Sequence, residues 1–468
     1  MQGNPHWVAG ERTQFPRIVI AASASGAGKT STTAGILAAS AKRGRPVSPF
    51  KCGPDFLDPQ VLRAAAGAPS ASNLDRWLTD DATLLAGFRR HAKSGPRALN
   101  LIEGVMGVLD SSSWGTSTAD VANALDAPIV LVVDASRAAE SVALQVRGAA
   151  ELLPPGRLAG AIVNRVGLGW HALATRREIE ERCGVPVLGS LPWSPEIELP
   201  DQPLGLLTPI TRPGLDWSRK FRALGDWVAD GVDLERLTEI AQGAGPLPRA
   251  PGLEVDRDAY NRASIAVAQD AGFCFTYPEN LEAFLDRGAR VESFSPIAGD
   301  ALPPSADAVY LPGGYPESHA AALSCNRGLA RELRAWVRDR KPLLAECGGM
   351  MVLLDHLVDA AGSSHRMSGA FRGSTRIQPQ LAGFGYGEAH LRRRSLLGNP
   401  GGRVRGHVYH HSRRTMPASP SWAWLYLPRN GAPPTGDGLH QGLSVASYLH
   451  VRLDEYPHIV NRMLSDSP

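Results

Sequence analysis

Apolar residues in the first half of the chain fall into short continuous runs. "RIVIAA" (17–22), "PVSPFK" (46–51), "ALNLIEG" (98–104), "APIVLVVDAS" (127–136), "LAGAIVNRV" (158–166) and the shorter "VPVLGSLP" (185–192) read as strands. Stretches of helical period lie between several of them, such as "KTSTTAGILAASAKRG" and "SVALQVRGAAELL". Short apolar strands separated by helices predict a parallel sheet covered on both faces. From about 240 to 262 the period is lost in a Gly- and Pro-rich stretch, which reads as a linker. Alternation restarts with "ASIAVAQD" (263–270), "ARVESFSP" (289–296), "DAVYLPGG" (307–314) and "KPLLAECGG" (341–349). From about 366 to 450 the pattern looks less regular, with many Gly, Pro and His.

The chain has 468 residues, so two to four domains are expected at about 100–200 residues each. Charged residues make up 20% and hydrophobic residues 43%, ordinary for a core-forming chain. With 49 basic against 46 acidic residues, no nucleic-acid or membrane-surface partner is expected. No apolar run is long enough for a membrane span, and the first residues lack the pattern of a signal peptide. Five scattered cysteines without a CxxC pair fit a reduced, cytoplasmic enzyme better than a disulfide or zinc scaffold.

Two segments carry chemistry. "SASGAGKT" (23–30) follows the first strand and opens the first helix. Gly26 and Gly28 let backbone N–H groups converge on an anion at a helix N-terminus, with Ser25 and Ala27 in the same turn. Lys29 can reach the β- and γ-phosphates and Thr30 can ligate Mg²⁺. Ser23 stands where the full phosphate-loop pattern has glycine. Asp55, Asp58, Glu103, Asp110 and Asp134 lie at or near strand ends, where ligands bind in doubly wound sheets. An acidic residue ending an apolar strand, as Glu103 does, is costly to bury without a cation. For Asp55 and Asp58 the competing reading is two turn formers, and for Asp110 it is a cap. Partition ATPases and carboxylate-activating synthetases share such a phosphate end, so it does not decide the function.

The second segment is "KPLLAECGGMMVLL" (341–354). Cys347 is followed at once by Gly348 and Gly349, as a nucleophile on a sharp strand-to-helix turn requires. Gly313 and Gly314 in "VYLPGGYPE" can donate backbone N–H groups to an oxyanion. His450 closes "SVASYLH". A thiol, an imidazole and an N–H pair are the parts of an acyl-transfer site that would release ammonia from glutamine. His407, His410 and His411 cluster with Arg403, Arg405, Arg413 and Arg414. They read either as a basic surface for a polycarboxylate or as structural histidines in a solvated loop.

The chain resembles the cobyrinic acid a,c-diamide synthase family, which amidates acetate side chains of tetrapyrroles with ATP and glutamine. The resemblance spans about residues 17–455. It rests on "SGAGKT", "FKCGPDFLDP", "EGVMGVLD", "STAD", "VVDAS", "NRVG", "YPENL", "LPGGYPE", "AECGG", "GFGY", "RGHVYHHS" and "SYLH", in that order. It implies an α/β fold in two domains. Residues 15–240 would form a P-loop doubly wound parallel sheet like dethiobiotin synthetase. Residues 241–262 would be a linker, and 263–460 a flavodoxin-like class I glutaminase domain. It also implies Mg²⁺ held by Thr30, Asp55 and Glu103, with ATP and L-glutamine as co-substrates. Asp58 and Asp110 would position the substrate carboxylate and its phosphorylated form. Cys347 would be the nucleophile, His450 its base, and Gly313 and Gly314 the oxyanion hole. The implied partner is a tetrapyrrole polycarboxylate, and a homodimer is allowed for.

Three positions depart from the family pattern. Phe56 stands where Tyr is frequent, and Val408 interrupts a segment that usually carries Glu. These two leave the macrocycle open: cobyrinic acid, hydrogenobyrinic acid, sirohydrochlorin or its nickel form. Arg452 occupies the position two after the histidine, where many class I glutaminases place an orienting Glu; this is usual for the branch. A P-loop switch without amidation would leave Cys347 and His450 unexplained. A glutaminase-dead relative using free ammonia is opposed by the intact Cys347, Gly313, Gly314 and His450.

Overall fold

The computed structural model describes residues 14–167, 169–202, 205–247, 260–417 and 420–465. Much of the expected linker, residues 248–259, lies outside the described residues. The chain forms two compact units. The first comprises Met1–Arg76, Leu84–Leu207 and Leu215–Pro251, and the second Trp77–Thr83, Thr208–Gly214 and Gly252–Pro468.

In the first unit seven strands make one sheet: β1 (Arg17–Ala22), β2 (Val47–Cys52), β3 (Ser72–Leu74), β4 (Leu99–Glu103), β5 (Ile129–Asp134), β6 (Leu158–Val166) and β7 (Val187–Pro192). Their order is β3-β2-β4-β1-β5-β6-β7 and every pairing is parallel. A two-stranded ribbon, β8 (Asp201–Gln202) with β9 (Gly205–Leu206), follows. The helices are α1 (Lys29–Lys42), α2 (Asp58–Ala66), α3 (Asp81–His91), α4 (Thr118–Ala124), α5 (Ala143–Leu152), α6 (Trp170–Cys183), α7 (Trp217–Gly231) and α8 (Leu234–Gln242).

Successive residues of β1 feed two different cores, which explains why its sequence is apolar after Arg17. Ile18, Ile20 and Ala22 pack with Ile36 and Leu37 of α1, Val61 of α2, Leu224 of α7 and Leu237 of α8. Val19 and Ala21 pack with Phe88 of α3, Val121 of α4, Val146 of α5 and Ile179 of α6. Each Val or Ile enclosed in this way contributes roughly 1.5–3 kcal/mol. The sheet is therefore wound on both faces, and its strand C-termini open together where the order reverses around β1. Ser117 and Asp120 of "STAD" form a capping box that starts α4, a local structural role.

The second unit has a sheet of β10 (Ser264–Ala268), β11 (Arg290–Phe294), β12 (Ala308–Leu311), β13 (Leu343–Glu346), β22 (Leu439–Gln441) and β23 (Ser444–Ser447). The order is β11-β10-β12-β13-β23-β22, parallel except for the last pair. Its core is filled from α9 (Pro278–Leu285), α10 (Ala320–Cys325), α11 (Arg327–Arg338), α12 (Gly348–Met351) and α13 (Pro457–Leu464).

The stretch that looks irregular in sequence is mostly β-structure. One four-stranded sheet contains β14 (His356–Val358), β15 (Ser364–Arg366), β16 (Ser374–Ile377) and β19 (Ser412–Thr415). Another contains β17 (Gly383–Leu391), β18 (Arg403–His410), β20 (Trp424–Pro428) and β21 (Thr435–Asp437), all antiparallel. In β17 and β18 buried positions are mixed with open ones that hold Gly, Glu, His and Arg as well as Phe384, Tyr386 and Tyr409, so no clean apolar alternation shows in the sequence. No described helix is long and apolar enough to cross a membrane.

Candidate functional site

The two chemical centres lie one in each unit. In the first, β1 ends at Ala22 and the chain turns through the glycine-rich loop into α1. Gly28 takes φ 93° at the helix start, and a Cβ there would strike the Asn164 side-chain amide. Only glycine fits that combination of conformation and space. Asn164 donates to Ala27 O at 2.9 Å, and Arg165 donates to Gly26 O at 2.9 Å. These contacts fix the loop from below, while Ser25 and Gly26 are exposed. Lys29 Nζ donates to Met106 O at 2.6 Å and Ala24 O at 3.2 Å.

Glu103 ends β4 beside both β1 and β2, in register with Ile20 and Lys51. It is fully buried. Its Oε1 accepts from Thr30 Oγ1 at 2.9 Å and from Lys51 Nζ at 2.7 Å. Its Oε2 is buried with no hydrogen-bond partner among the described residues. Lys51 also pairs with Asp58 at 2.6 Å. Asp55 Oδ1 accepts from the N–H groups of Leu57 and Asp58 at 2.7 and 3.1 Å, so the turn-forming reading of Asp55 holds for that oxygen. Asp110 accepts from Gly107 N at 2.7 Å, closing a loop as a cap. Asp134 binds Arg165 at 2.5 Å rather than facing a ligand unpaired.

The electrostatics show acid crowding. Burial, and then Asp58, pushes Asp55 up to about 6. Burial, partly offset by Lys51, pushes Glu103 up to about 7. Burial also presses on Asp58, but Lys51 outweighs it and holds that carboxyl below its ordinary value. One lysine is shared among three carboxyls, and the orphaned Glu103 Oε2 is the acceptor left over. A hard divalent cation suits this donor set, because Mg²⁺ takes one or two carboxylates plus phosphate oxygens and water. Among the described residues no three His, Cys, Asp or Glu side chains gather as a self-sufficient metal cage. The sequence reading named Asp55, Asp58, Glu103 and Thr30 but missed Lys51. A lysine inside the apolar run "PFKC" was the available signal, since an unpaired lysine is rarely buried.

In the second unit, β13 and β23 are parallel neighbours with Glu346 opposite Ser447. Residues following each strand therefore leave the same sheet edge. Cys347 follows β13 with φ 47° and ψ −105°, and α12 begins at Gly348. A non-glycine residue in that conformation is strained, as a nucleophile elbow is. Its N–H donates to Ser447 O at 2.7 Å, and its Sγ lies 3.7 Å from Tyr409 O. Burial, then the nearby Glu317, pushes the thiol well above its ordinary value.

His450 follows β23 and is 1% exposed. A Cβ on Gly313 would come within 2.5 Å of His450 Cε1, so glycine is required there by the imidazole itself. Gly314 N would lie 3.0 Å from a Cβ placed on Gly348. Cys347, Gly313, Gly314 and His450 are thus brought together around one elbow. His407 is buried and stacks on His450, with ring centroids 4.9 Å apart. His410 stacks on Tyr448 at 3.6 Å. Both lie in β18, His407 buried and His410 half-buried, rather than in the solvated loop of the structural reading.

The sequence reading also missed Glu346, whose Oε2 is 3.6 Å from His450 Nδ1. Tyr310 Oη donates to the same oxygen at 2.8 Å, and Val451 N donates to Oε1 at 3.0 Å. Arg452, at the usual orienting position, is bound instead to Asp454 at 2.7 Å and Glu279 at 3.8 Å.

Residues 18–204 match the model of a CobQ/CobB/MinD/ParA nucleotide binding domain, and residues 264–457 that of a CobB/CobQ-like glutamine amidotransferase domain. Similar curated proteins cover nearly the whole chain. A cobyrinate a,c-diamide synthase of Dehalococcoides mccartyi is 35% identical over 96% of this chain and 98% of its own length. One of Listeria monocytogenes is 36% identical over 96% of this chain and 98% of its own. A hydrogenobyrinate a,c-diamide synthase of Pseudomonas aeruginosa is 37% identical over 97% and 98%.

Proposed function

This chain belongs to the cobyrinate a,c-diamide synthase family, and from that premise we propose that it amidates the a and c acetate carboxylates of cobyrinic or hydrogenobyrinic acid, using ATP and L-glutamine. The observation that carries the reading is the pairing, in one chain, of a phosphate loop facing buried carboxyls with a strained thiol elbow near which Gly313 packs against His450.

The first unit is the synthetase half. A carboxylate oxygen of the macrocycle attacks the γ-phosphorus of ATP, and ADP leaves, giving an acyl phosphate. Lys29 and the amides of Ser25, Gly26, Ala27 and Gly28 hold the phosphates. Thr30, Asp55 and Glu103 would hold Mg²⁺, which when bound would supply positive charge against the phosphate oxygens. Asp58, locked to Lys51, and Asp110 shape the loops that receive the carboxylate. Ammonia then attacks the acyl carbon and phosphate leaves.

The second unit is the ammonia source. His450 takes the proton of Cys347, and the thiolate attacks the glutamine side-chain amide. The N–H groups of Gly313 and Gly314 receive the developing oxyanion. His450 returns that proton to the leaving nitrogen, ammonia departs, and water hydrolyses the thioester to glutamate and the free thiol. All five cysteines are free, in keeping with a reducing cytoplasm.

The test is ATP-dependent mass change on purified tetrapyrroles. Each amidation replaces –OH by –NH₂, about 1 Da lighter per site, with one ATP used for each. Two amides on cobyrinate or hydrogenobyrinate support the reading. Amidation of sirohydrochlorin alone keeps the chemistry and replaces the substrate. ATP hydrolysis with no macrocycle changed removes the proposal.

A further inference from the structure

We infer that Glu346, the residue just before the nucleophile, is the carboxylate that orients His450, so that the glutaminase triad is closed from the elbow strand. The inference rests on the glutaminase reading of the second unit.

Three observations carry it. The first is that the usual source of the acid is blocked. Arg452 stands two residues after His450, and its guanidinium is bound to Asp454 and Glu279. The second is placement. Glu346 and His450 are each 1% exposed, and Glu346 Oε2 faces His450 Nδ1 at 3.6 Å. That is longer than a hydrogen bond, a gap such pairs close once substrate is bound. The third is support. Glu346 is fixed by Tyr310 Oη at 2.8 Å and by Val451 N at 3.0 Å, and Tyr310 is itself held by Asn280 Nδ2 at 3.2 Å. Burial, then Glu346, pushes the Tyr310 hydroxyl well above its ordinary value, so it stays a donor.

The consequence is a defined tautomer. With Nδ1–H turned to Glu346, the other ring nitrogen is left as the acceptor for the thiol proton. Glu346 needs no contact with glutamine, so it is a positioning residue. Its neighbour in sequence is the nucleophile, so one strand end delivers both the thiol and the group that orients its base.

The experiment uses the full chain and four variants: Glu346→Gln, Glu346→Asp, Tyr310→Phe and Cys347→Ser. Amidation is measured with glutamine and, separately, with ammonium chloride. Alkylation of Cys347 by iodoacetamide is timed as a readout that needs neither substrate. Glu346→Gln keeps the acceptor for Val451 N and the same volume. We expect its glutamine-dependent kcat to fall about 100-fold, within the range for losing base catalysis, with KM changed less than about twofold. Its alkylation slows in step, and its ammonium-dependent rate stays within about twofold of wild type. Glu346→Asp recovers about tenfold of the loss, and Tyr310→Phe costs about fivefold, as removal of one supporting hydrogen bond should.

Three outcomes overturn the assignment: Glu346→Gln with wild-type kcat, a raised KM with kcat intact, or an equal fall in both nitrogen routes. The last would mark a structural role. If wild type makes no glutamate from glutamine and Cys347→Ser changes nothing, the glutaminase reading falls and takes this inference with it.

Discussion

Cys347 and Gly28 show how single backbone positions set the chemistry. Cys347 sits at φ 47°, a conformation that costs a side-chain-bearing residue about 1–3 kcal/mol and persists only when its surroundings impose it. Cys347→Ser keeps the elbow but loses the nucleophile. Glutamine-dependent amidation should fall by about 1,000-fold or more while the ammonium-dependent rate is retained; steady-state assays with each nitrogen source decide this. Gly28→Ala should act on the other centre. Its Cβ meets Asn164 at a position already at φ 93°. ATP affinity should weaken at least about tenfold, since roughly 1.4 kcal/mol of strain suffices. Equilibrium dialysis with ATP checks it, and unchanged affinity would mean that the loop yields. The glycines and the thiol were legible in sequence because each needs a residue type that little else explains. Lys51 and Glu346 were not, because a charged residue in an apolar run declares that it has a partner without naming it.

At the level of elements, the parallel strands were legible and the antiparallel ones were not. β1, β4, β5 and β6 are largely buried on both faces, so their residues are mostly apolar, and polar exceptions such as Glu103, Asp134 and Asn164 stand at or near the strand ends. β17 and β18 bury only part of their residues, and their open positions mix Gly, Glu, Arg and His with the aromatics Phe384, Tyr386 and Tyr409. A strand of that kind resembles a loop when only hydrophobicity is read. β18 also makes a testable contribution to acid stability. Burial, reinforced by Arg414 against a hydrogen bond to Ser412 O, holds His410 at about 4, and burial beside His450 lowers His407. In the unfolded chain both titrate near 6.5, so the folded state binds fewer protons between those values. The stability they contribute is present above about pH 6.5 and is lost as pH falls toward 4. His410→Gln should remove about 1–3 kcal/mol of that acid dependence. Thermal midpoints of both proteins from pH 7.5 to 4.5 provide the comparison; parallel curves would refute it.

Over the whole molecule, the chain unites a phosphate site and a thiol site, and neither alone specifies an amidating enzyme. The order of motifs along the sequence announced that union, because each motif keeps its place after a strand. The pairing of Glu103 with Lys51 was not announced, since it depends on a fold bringing β2 beside β4. The two nitrogen sources should differ in their response to pH. Free ammonia must be unprotonated to attack, so the ammonium-supported rate should climb with pH across the neutral range. If ammonia from glutamine reaches the acyl phosphate without passing through bulk ammonium, the glutamine-dependent rate should not share that climb. Parallel profiles from the two sources would mean that ammonia from glutamine equilibrates with solvent before use.

The register of β13 against β23 also bears on ancestry. Glu346 lies opposite Ser447, so the two strand ends set the spacing of thiol and imidazole in space, whatever chain runs between them. That intervening chain contains both four-stranded sheets, and it returns to the pair through β18, at Tyr409 and His407. Insertions and deletions in the loops between these sheets leave that strand register unchanged. Descendants of a common ancestor can thus drift widely in the number of residues separating cysteine from histidine while their reactive atoms stay put. Kinship in this lineage is better judged by which strand each group follows than by counting along the sequence.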